Sequence, residues 1–169
     1  LHTLMRAHGL PLPRADANHL SIDLGAVRLR WEAHTEFQTY TVWHALDASP
    51  STFDRAAVRD LPADWLASMA GQWIVGLHVL VTHAGESDGE ALARALLDEN
   101  SLVGAGISDG QAHVYTDFRL HADGYARQLL CVEAMNPRRL GRTVQRLLEV
   151  ETYRMMALLG LPVAREVAA

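Results

Sequence analysis

From His19 onward the sequence is a succession of short runs in which apolar and polar residues alternate, and this pattern constrains the fold most. A period of two residues is typical of a β-strand with one buried face. Turn residues separate several of the runs, among them Gly25, the segment 108–110 and the segment 122–124. The predicted strands are HLSIDL, VRLRWEAH, TEFQTYTVW, QWIVGLHVLVTH, SLVGAGI, QAHVYTDFRLH and YARQLLCVEA. QWIVGLHVLVTH is apolar enough to predict a central strand, covered on both faces.

Helical patterns occur at both ends and in the middle of the chain. LHTLMRAHG predicts a short helix closed by Gly9, and GESDGEALARALLDEN a second, with Ser87 and Glu90 at capping-box spacing. Pro62, Asp64 and Trp65 indicate a helical turn, and the segment 46–59 a mobile loop. The last helix begins at Pro137 after the N-cap Asn136, and its pattern extends to about residue 160.

These elements predict an α+β fold with a mostly antiparallel mixed sheet of about seven strands and helices at the N-terminus, middle and C-terminus. We expect residues 1–169 to form a single domain. The segment 137–169 is then a terminal helix that continues into a C-terminal helical or membrane region missing from this chain. The start at Leu1 and the uncapped end in AREVAA favour a piece of a longer protein.

Composition excludes several functions. The net charge of −5 argues against nucleic-acid binding, which requires clustered positive charge. The 15 basic residues are all arginines, so Schiff-base chemistry and a phosphate-loop lysine are excluded. The single cysteine, Cys131, lies in the apolar run LLCVEA and is interpreted as core. The longest apolar runs, WIVGLHVLV and MMALLGLPVA, have about half of the roughly 20 residues that a membrane span needs.

WEAHTEFQTYT, residues 31–41, carries the first candidate site. If it is one strand, alternation places Trp31 and Phe37 on an apolar face and a polar ladder on the other. The ladder consists of Glu32, His34, Glu36, Gln38 and Tyr40. His34 and Glu36 could supply two ligands of a metal site, with His78, His113 or His121 as the third. A ligand-binding or structural polar face and a solvated strand are the alternatives.

TDFRLHADG, residues 116–124, carries the second cluster. Asp117, Arg119, His121 and Asp123 alternate with apolar residues, and the A-D-G turn by itself explains Asp123. If this strand lies beside the first, the candidate site combines the polar residues of both. Its members are then His34, Glu36, Tyr40, Asp117, Arg119 and His121.

The terminal helix has a seam with alternating spacings of four and three residues, typical of a coiled coil or of a core-facing helix. Its members are Leu140, Val144, Leu147, Glu151, Arg154, Leu158 and Leu161. A glutamate on such a seam needs a partner, and Arg154, one turn later, is the nearest; Arg119 and Arg127 are the alternatives. We expect a homo-oligomer that associates through this helix, with the charged pair setting the register.

Five sequence blocks resemble the bacterial family called domain of unknown function 3422. In order they are DLGAVRLRWEAHTEFQTYT, LPADWL, DENSLVGAGISDG, TDFRLHADGYAR and RLGRTVQRLLEVETYRMMALLGLP. The resemblance implies the soluble head of a membrane-anchored protein, with hydrophobic segments after a long helical region. It implies no catalytic residues, because the family has no assigned function. The order of elements is also similar to that of CorA-type magnesium channels.

The resulting expectation is a non-enzymatic regulatory, sensing or assembly domain on the cytoplasmic side of the bacterial inner membrane. We expect no cofactor and no tightly bound metal. The alternative is a metal-dependent or acid/base enzyme that uses the His, Glu and Asp cluster on the sheet.

Overall fold

The chain divides into two units, Leu1–Gly71 and Gln72–Ala169, called unit 1 and unit 2 below. The computed structural model describes residues 1–46, 52–83 and 88–167. The described residues form seven strands together with helices, so the α+β prediction is confirmed. The strands form a three-stranded sheet and a four-stranded sheet, however, so the prediction of one sheet is wrong. The prediction of a single domain stays a prediction.

Unit 1 is built on a three-stranded meander. Its elements are α1 (His2–Ala7), β1 (His19–Asp23), β2 (Arg28–Ala33), β3 (Gln38–Trp43), two 3-10 turns (Phe53–Arg55 and Ala57–Asp60) and α2 (Ala63–Ala67). β2 pairs antiparallel with both neighbours, and Gly25 permits the first turn with a φ of +84°. The buried core consists of Leu4, Val27, Leu29, Leu61 and Trp65. Residues 47–51 of the predicted mobile loop lie outside the described residues, and the rest of that segment contains the first 3-10 turn and most of the second.

Unit 2 is built on the four-stranded sheet, in the order β4-β7-β6-β5. Its elements are β4 (Leu77–His83), α3 (Gly89–Leu96), a 3-10 turn (Glu99–Ser101), β5 (Val103–Ile107), β6 (Ala112–Thr116), β7 (Ala126–Val132) and α4 (Pro137–Val167). β4 pairs with β7 in parallel, whereas the pairs β5–β6 and β6–β7 are antiparallel. The prediction that β4 is central is therefore wrong, because within the described sheet it is an edge strand and β7 is the buried strand.

Helices cover the two faces of this sheet. Leu130 and Val132 of β7 point to one face, where Leu140, Val144 and Leu147 of α4 pack against them. The other face lies under α3: a Cβ on its first residue, Gly89, would meet Sγ of Cys131 at 2.8 Å. Burial raises the pKa of that thiol, as expected for a core cysteine.

The ends of three elements differ from their predictions. Ser87, the predicted cap of α3, lies outside the described residues, and Asp88 accepts from the backbone N–H of Glu90 and Ala91 instead. β6 ends at Thr116, five residues before the predicted end of the strand at His121. α4 passes the predicted end at residue 160 and continues through Pro162 to Val167.

Candidate functional site

The buried carboxylate of Asp117 braces the loop between β6 and β7. Its side chain is 0% exposed, and Oδ2 accepts from the backbone N–H of Asp98 at 2.9 Å and from Nε2 of His121 at 3.0 Å. Oδ1 accepts from the backbone N–H of Arg119 at 3.1 Å. A carboxylate can be buried at modest cost only when its oxygens are satisfied in this way.

Opposing effects act on the charge of Asp117. Burial raises its pKa, but the backbone hydrogen bonds from Asp98 and Arg119 and the charge of His121 outweigh burial, so the pKa lies below its usual value. The carboxylate is therefore ionised at neutral pH and can only accept. Nε2 of His121 therefore carries a proton and donates the hydrogen bond to Asp117.

Asp98, at the start of the Glu99–Ser101 turn, connects that turn to the same loop. Its Oδ2 pairs with the guanidinium of Arg119, and its Oδ1 accepts from the backbone N–H of Asn100 at 3.0 Å. Arg119 follows Asp117 by two residues in the predicted strand, but its guanidinium contacts Asp98 and not Asp117. Neighbours two apart on a strand share a face, whereas Arg119 lies beyond the end of β6.

A second group of polar residues adjoins the loop. The carboxylate of Asp123 lies 3.6 Å from Nε2 of His78 and 3.5 Å from Nη2 of Arg127. His78 and Arg127 are register partners in the parallel pair β4–β7, so they face the same side of the sheet. Burial acts to raise the pKa of Asp123, but the hydrogen bond from the backbone N–H of Tyr125 and the charges of His78 and Arg127 lower it overall.

Aromatic rings extend this second group. The ring of Tyr125 stacks on His78 with centroids 4.1 Å apart, and Trp73 meets Tyr125 edge-on at 5.6 Å. Sequence reasoning attributed Asp123 to its turn alone and considered His78 only as a metal ligand. The parallel pairing of β4 and β7 brings these residues together, and no local feature of the sequence predicts that pairing.

Glu151 and Arg154 form an ion pair within α4. Nε of Arg154 donates to Oε2 of Glu151 at 2.9 Å, and Nη2 contacts Oε1. The hydrogen bond to Glu151 raises the pKa of Arg154. The guanidinium also lies 5.7 Å from the ring centroid of Phe118, so the helix contacts the braced loop through a cation–π interaction.

Phe118 occupies an unfavourable conformation in this loop. Its φ is +54°, which costs a residue with a Cβ about 1–2 kcal/mol. The residue is nevertheless 56% exposed, so burial of its side chain does not offset that cost. The surrounding hydrogen bonds fix the backbone: Oγ1 of Thr116 accepts from the N–H of Phe118, while the N–H of Arg119 is bound to Asp117.

The first predicted cluster has a different geometry from the one expected. WEAHTEFQTYT is a hairpin, with the turn closed by a hydrogen bond from the N–H of His34 to the carbonyl of Phe37. His34 stacks on Phe37, with centroids 4.4 Å apart, and Glu36 is an exposed turn residue. These two residues therefore lie in a turn and not on a strand face.

Tyr40 lies on the side of unit 1 opposite to the predicted one. It is the register partner of Trp31, and opposed residues of an antiparallel pair share a face. Its hydroxyl and the indole N–H of Trp31 both donate to Oε1 of Gln38, and its ring meets Trp65 edge-on at 5.6 Å. Burial raises the pKa of this phenol. The assignment of Tyr40 to a polar ladder is wrong, because the turn reverses the alternation.

The six predicted site residues thus fall into two groups. Asp117, Arg119 and His121 come together in unit 2, whereas His34, Glu36 and Tyr40 belong to unit 1. The strands that carry them are not neighbours in one sheet. Within the described residues, no group of three or more His, Cys, Asp or Glu side chains is arranged to hold a metal ion.

Unit 1 also has a small polar cleft of about 270 Å³, lined by His44, Asp54, Arg55, Ala56, Arg59 and Asp60. Nδ1 of His44 lies 2.9 Å from Oδ2 of Asp60, and its Nε2 lies 2.9 Å from the carbonyl oxygen of Arg55. These contacts tie the end of β3 to the two 3-10 turns. Sequence reasoning did not identify this cleft.

The fold and the site define an α+β protein in which a braced loop contacts a long terminal helix. The chain belongs to the family described as protein of unknown function (DUF3422), whose family model matches residues 1–169. No curated protein and no solved structure matches the chain. Among the helices in the described part of the chain, none is both long and apolar enough to cross a membrane.

Proposed function

We propose that this chain is a non-enzymatic assembly and regulatory module of a membrane-anchored bacterial protein. The observation that carries the proposal is the exposure of apolar side chains on the second half of α4. Every residue from Ala157 to Val167 is exposed, including Leu158, Leu159 and Leu161. Apolar surface concentrated in this way is typical of a protein interface.

The two halves of α4 have different environments. The first half supplies Leu140, Val144 and Leu147 to the core of unit 2 and ends at the Glu151–Arg154 pair. Beyond that pair, the same side of the helix carries Leu158 and Leu161, which are 50% and 42% exposed. The first half anchors the helix to unit 2. In the proposal, the exposed apolar residues of the second half contact other copies of the chain.

The location and the regulatory role belong to the same proposal. We place the module on the cytoplasmic side of the inner membrane, with α4 leading toward a membrane anchor in a C-terminal region beyond Ala169. The sensing role is similar in outline to that of the head of CorA-type channels, and it rests on the order of elements alone. We propose no cofactor and no tightly bound metal; one transition metal per purified chain in elemental analysis would overturn the latter point.

Sedimentation equilibrium at micromolar concentration tests the assembly role. We expect an oligomer that Leu161→Arg dissociates, because a charge in an apolar interface is costly. Leu12→Arg is the matched control. Leu12 is 43% exposed, a fraction similar to the 42% of Leu161, but it lies in unit 1. A monomeric wild-type chain, both alone and in a detergent-solubilised longer chain that continues past Ala169, would contradict the proposal.

The alternative proposal is an acid/base enzyme. The contact of His121 with the ionised Asp117 favours it, because a carboxylate that orients a histidine is common in such sites. Against it, all the observed contacts of Asp117 brace a loop, and the side chain of His121 is only 19% exposed. Hydrolysis of a panel of ester and phosphoester substrates, abolished by His121→Gln in a folded protein, would favour the enzyme.

A further inference from the structure

Between Arg154 and Arg165, the second half of α4 carries apolar residues on every side. Leu158 follows Glu151 by seven residues, about two turns, and so lies on the side of the helix that faces the sheet. Leu159 and Val163 are four residues apart and lie together roughly on the other side. These three residues are between 49% and 63% exposed. The exposed apolar surface therefore surrounds the helix instead of forming one stripe.

A single partner helix cannot cover such a surface. A helix pair buries a stripe about 100° wide, whereas a helix that is apolar all round is buried on all sides. The uncharged stretch Met155–Ala164 has ten residues. A pairwise contact there would be about 15 Å long and 10 Å wide, so it would leave most of the apolar circumference of each helix exposed to water. The stretch itself is about 15 Å long, about half the thickness of the hydrocarbon core of a bilayer, so it is too short to cross one.

We infer that Met155–Ala164 forms the centre of a parallel bundle of at least three copies of this chain. The inference rests on the proposed assembly function and specifies its geometry. In a bundle each helix contacts two neighbours and the common axis, so three sides are covered. Leu158 and Val163, on different sides of the helix, are then buried together.

Symmetry favours the parallel arrangement. Copies of one chain usually assemble with closed symmetry, and a rotation that relates three or more helices around one bundle axis makes all of them point in the same direction. In a parallel register Arg154 of one copy lies at the height of Arg154 of its neighbour, but each of these guanidiniums is already paired with Glu151 of its own helix, which offsets the repulsion.

Sedimentation equilibrium of the 169-residue chain, wild type and variant, tests the inference. We expect a mass of three or more copies. Leu158→Glu and Val163→Glu should each reduce it to that of a monomer, while Leu12→Glu in unit 1 should leave it unchanged. Circular dichroism and urea unfolding verify that the variants are folded. Dissociation by only one of the two glutamate variants would indicate a one-sided seam and overturn the bundle.

The other outcomes separate this inference from the proposed function. A dimer at all concentrations would overturn the bundle and leave an assembly role in place. A monomer that floats with phosphatidylcholine vesicles would assign the stretch to a lipid surface and overturn the bundle. Val163→Cys tests the orientation, because Cys131 is buried and the new thiol is the accessible one. Disulfide-linked chains on mild oxidation support the parallel bundle, and their absence from an oligomer would overturn the orientation.

Discussion

Nε2 of His121 lies 3.0 Å from Oδ2 of Asp117, and this hydrogen bond fixes the end of the loop. The start of the loop is fixed by a second hydrogen bond to the same carboxylate, from the backbone N–H of Arg119 to Oδ1. The same carboxylate reaches the backbone N–H of Asp98, nineteen residues earlier. One buried charge thus connects the end of α3 to the β6–β7 loop. Its function in the described structure is to set a conformation.

Asp117→Asn should destabilise unit 2 by about 1–3 kcal/mol at neutral pH, because an amide offers one acceptor oxygen to three donors. The difference in the free energy of unfolding between wild type and Asp117→Asn should become smaller at acid pH. The folded-state pKa of Asp117 is lowered, so its contribution is complete above the unfolded pKa of about 3.9 and is lost as the pH falls through the folded value.

Urea unfolding of both proteins at neutral pH and in stepwise acid measures this difference. Asp109→Asn is the control, since Asp109 is an exposed turn residue with positive φ, a conformation that asparagine tolerates. A difference between wild type and Asp117→Asn that is independent of pH would show that the carboxylate charge is not what the donors stabilise.

Arg154→Ala should cost about 1–3 kcal/mol, because it leaves the Glu151 carboxylate, whose side chain is 6% exposed, without its partner. Glu151→Gln should cost less than about 1 kcal/mol, because the side chain of Arg154 is 38% exposed and can turn to water. Chemical unfolding measures both values, and Arg146→Ala on the exposed side of α4 is the control. Equal losses for the two variants would contradict this asymmetry.

Local chemistry makes part of this fold predictable. Gly25 and the segment 108–110 adopt positive φ where turn residues indicate hairpins, and Glu151 and Arg154 meet because residues three apart on a helix are neighbours. The turn at 34–37 contains neither glycine nor proline and is closed by a backbone hydrogen bond and by ring stacking. Because no turn residue interrupts the alternation of WEAHTEFQTYT, treating residues 31–41 as one strand predicts the wrong face for Tyr40.

Long-range pairing makes the rest unpredictable from one sequence. The division into two sheets depends on which strands meet, and each strand has the same alternation whatever its partner. The contact of Asp98 with Arg119 spans 21 residues, and the contact of His78 with Asp123 requires β4 to lie parallel to β7. Spacing along the chain identifies none of these contacts.

Phe118→Gly should be more stable than Phe118→Ala by about 1 kcal/mol, because both remove the ring but only glycine adopts the φ of +54° without strain. Comparing the two variants cancels the loss of the contact with Arg154. Thermal unfolding measures the difference, with Leu120→Gly and Leu120→Ala as the matched pair on the same loop. If alanine is the more stable at both positions, the loop does not retain the positive φ in solution.

Gly76→Ala should destabilise unit 2 by about 1–3 kcal/mol, the usual cost of overpacking. A Cβ at this position would lie 2.6 Å from Cδ1 of Tyr125 and 2.7 Å from Cζ2 of Trp73, so both rings would have to move. Gly141→Ala is the control, because a Cβ there meets nothing within 4 Å and a helical alanine is better than glycine by about 1 kcal/mol. Urea unfolding followed by tryptophan fluorescence should give opposite signs for the two variants. A neutral Gly76→Ala with unchanged fluorescence would mean that Trp73 and Tyr125 do not pack against this glycine.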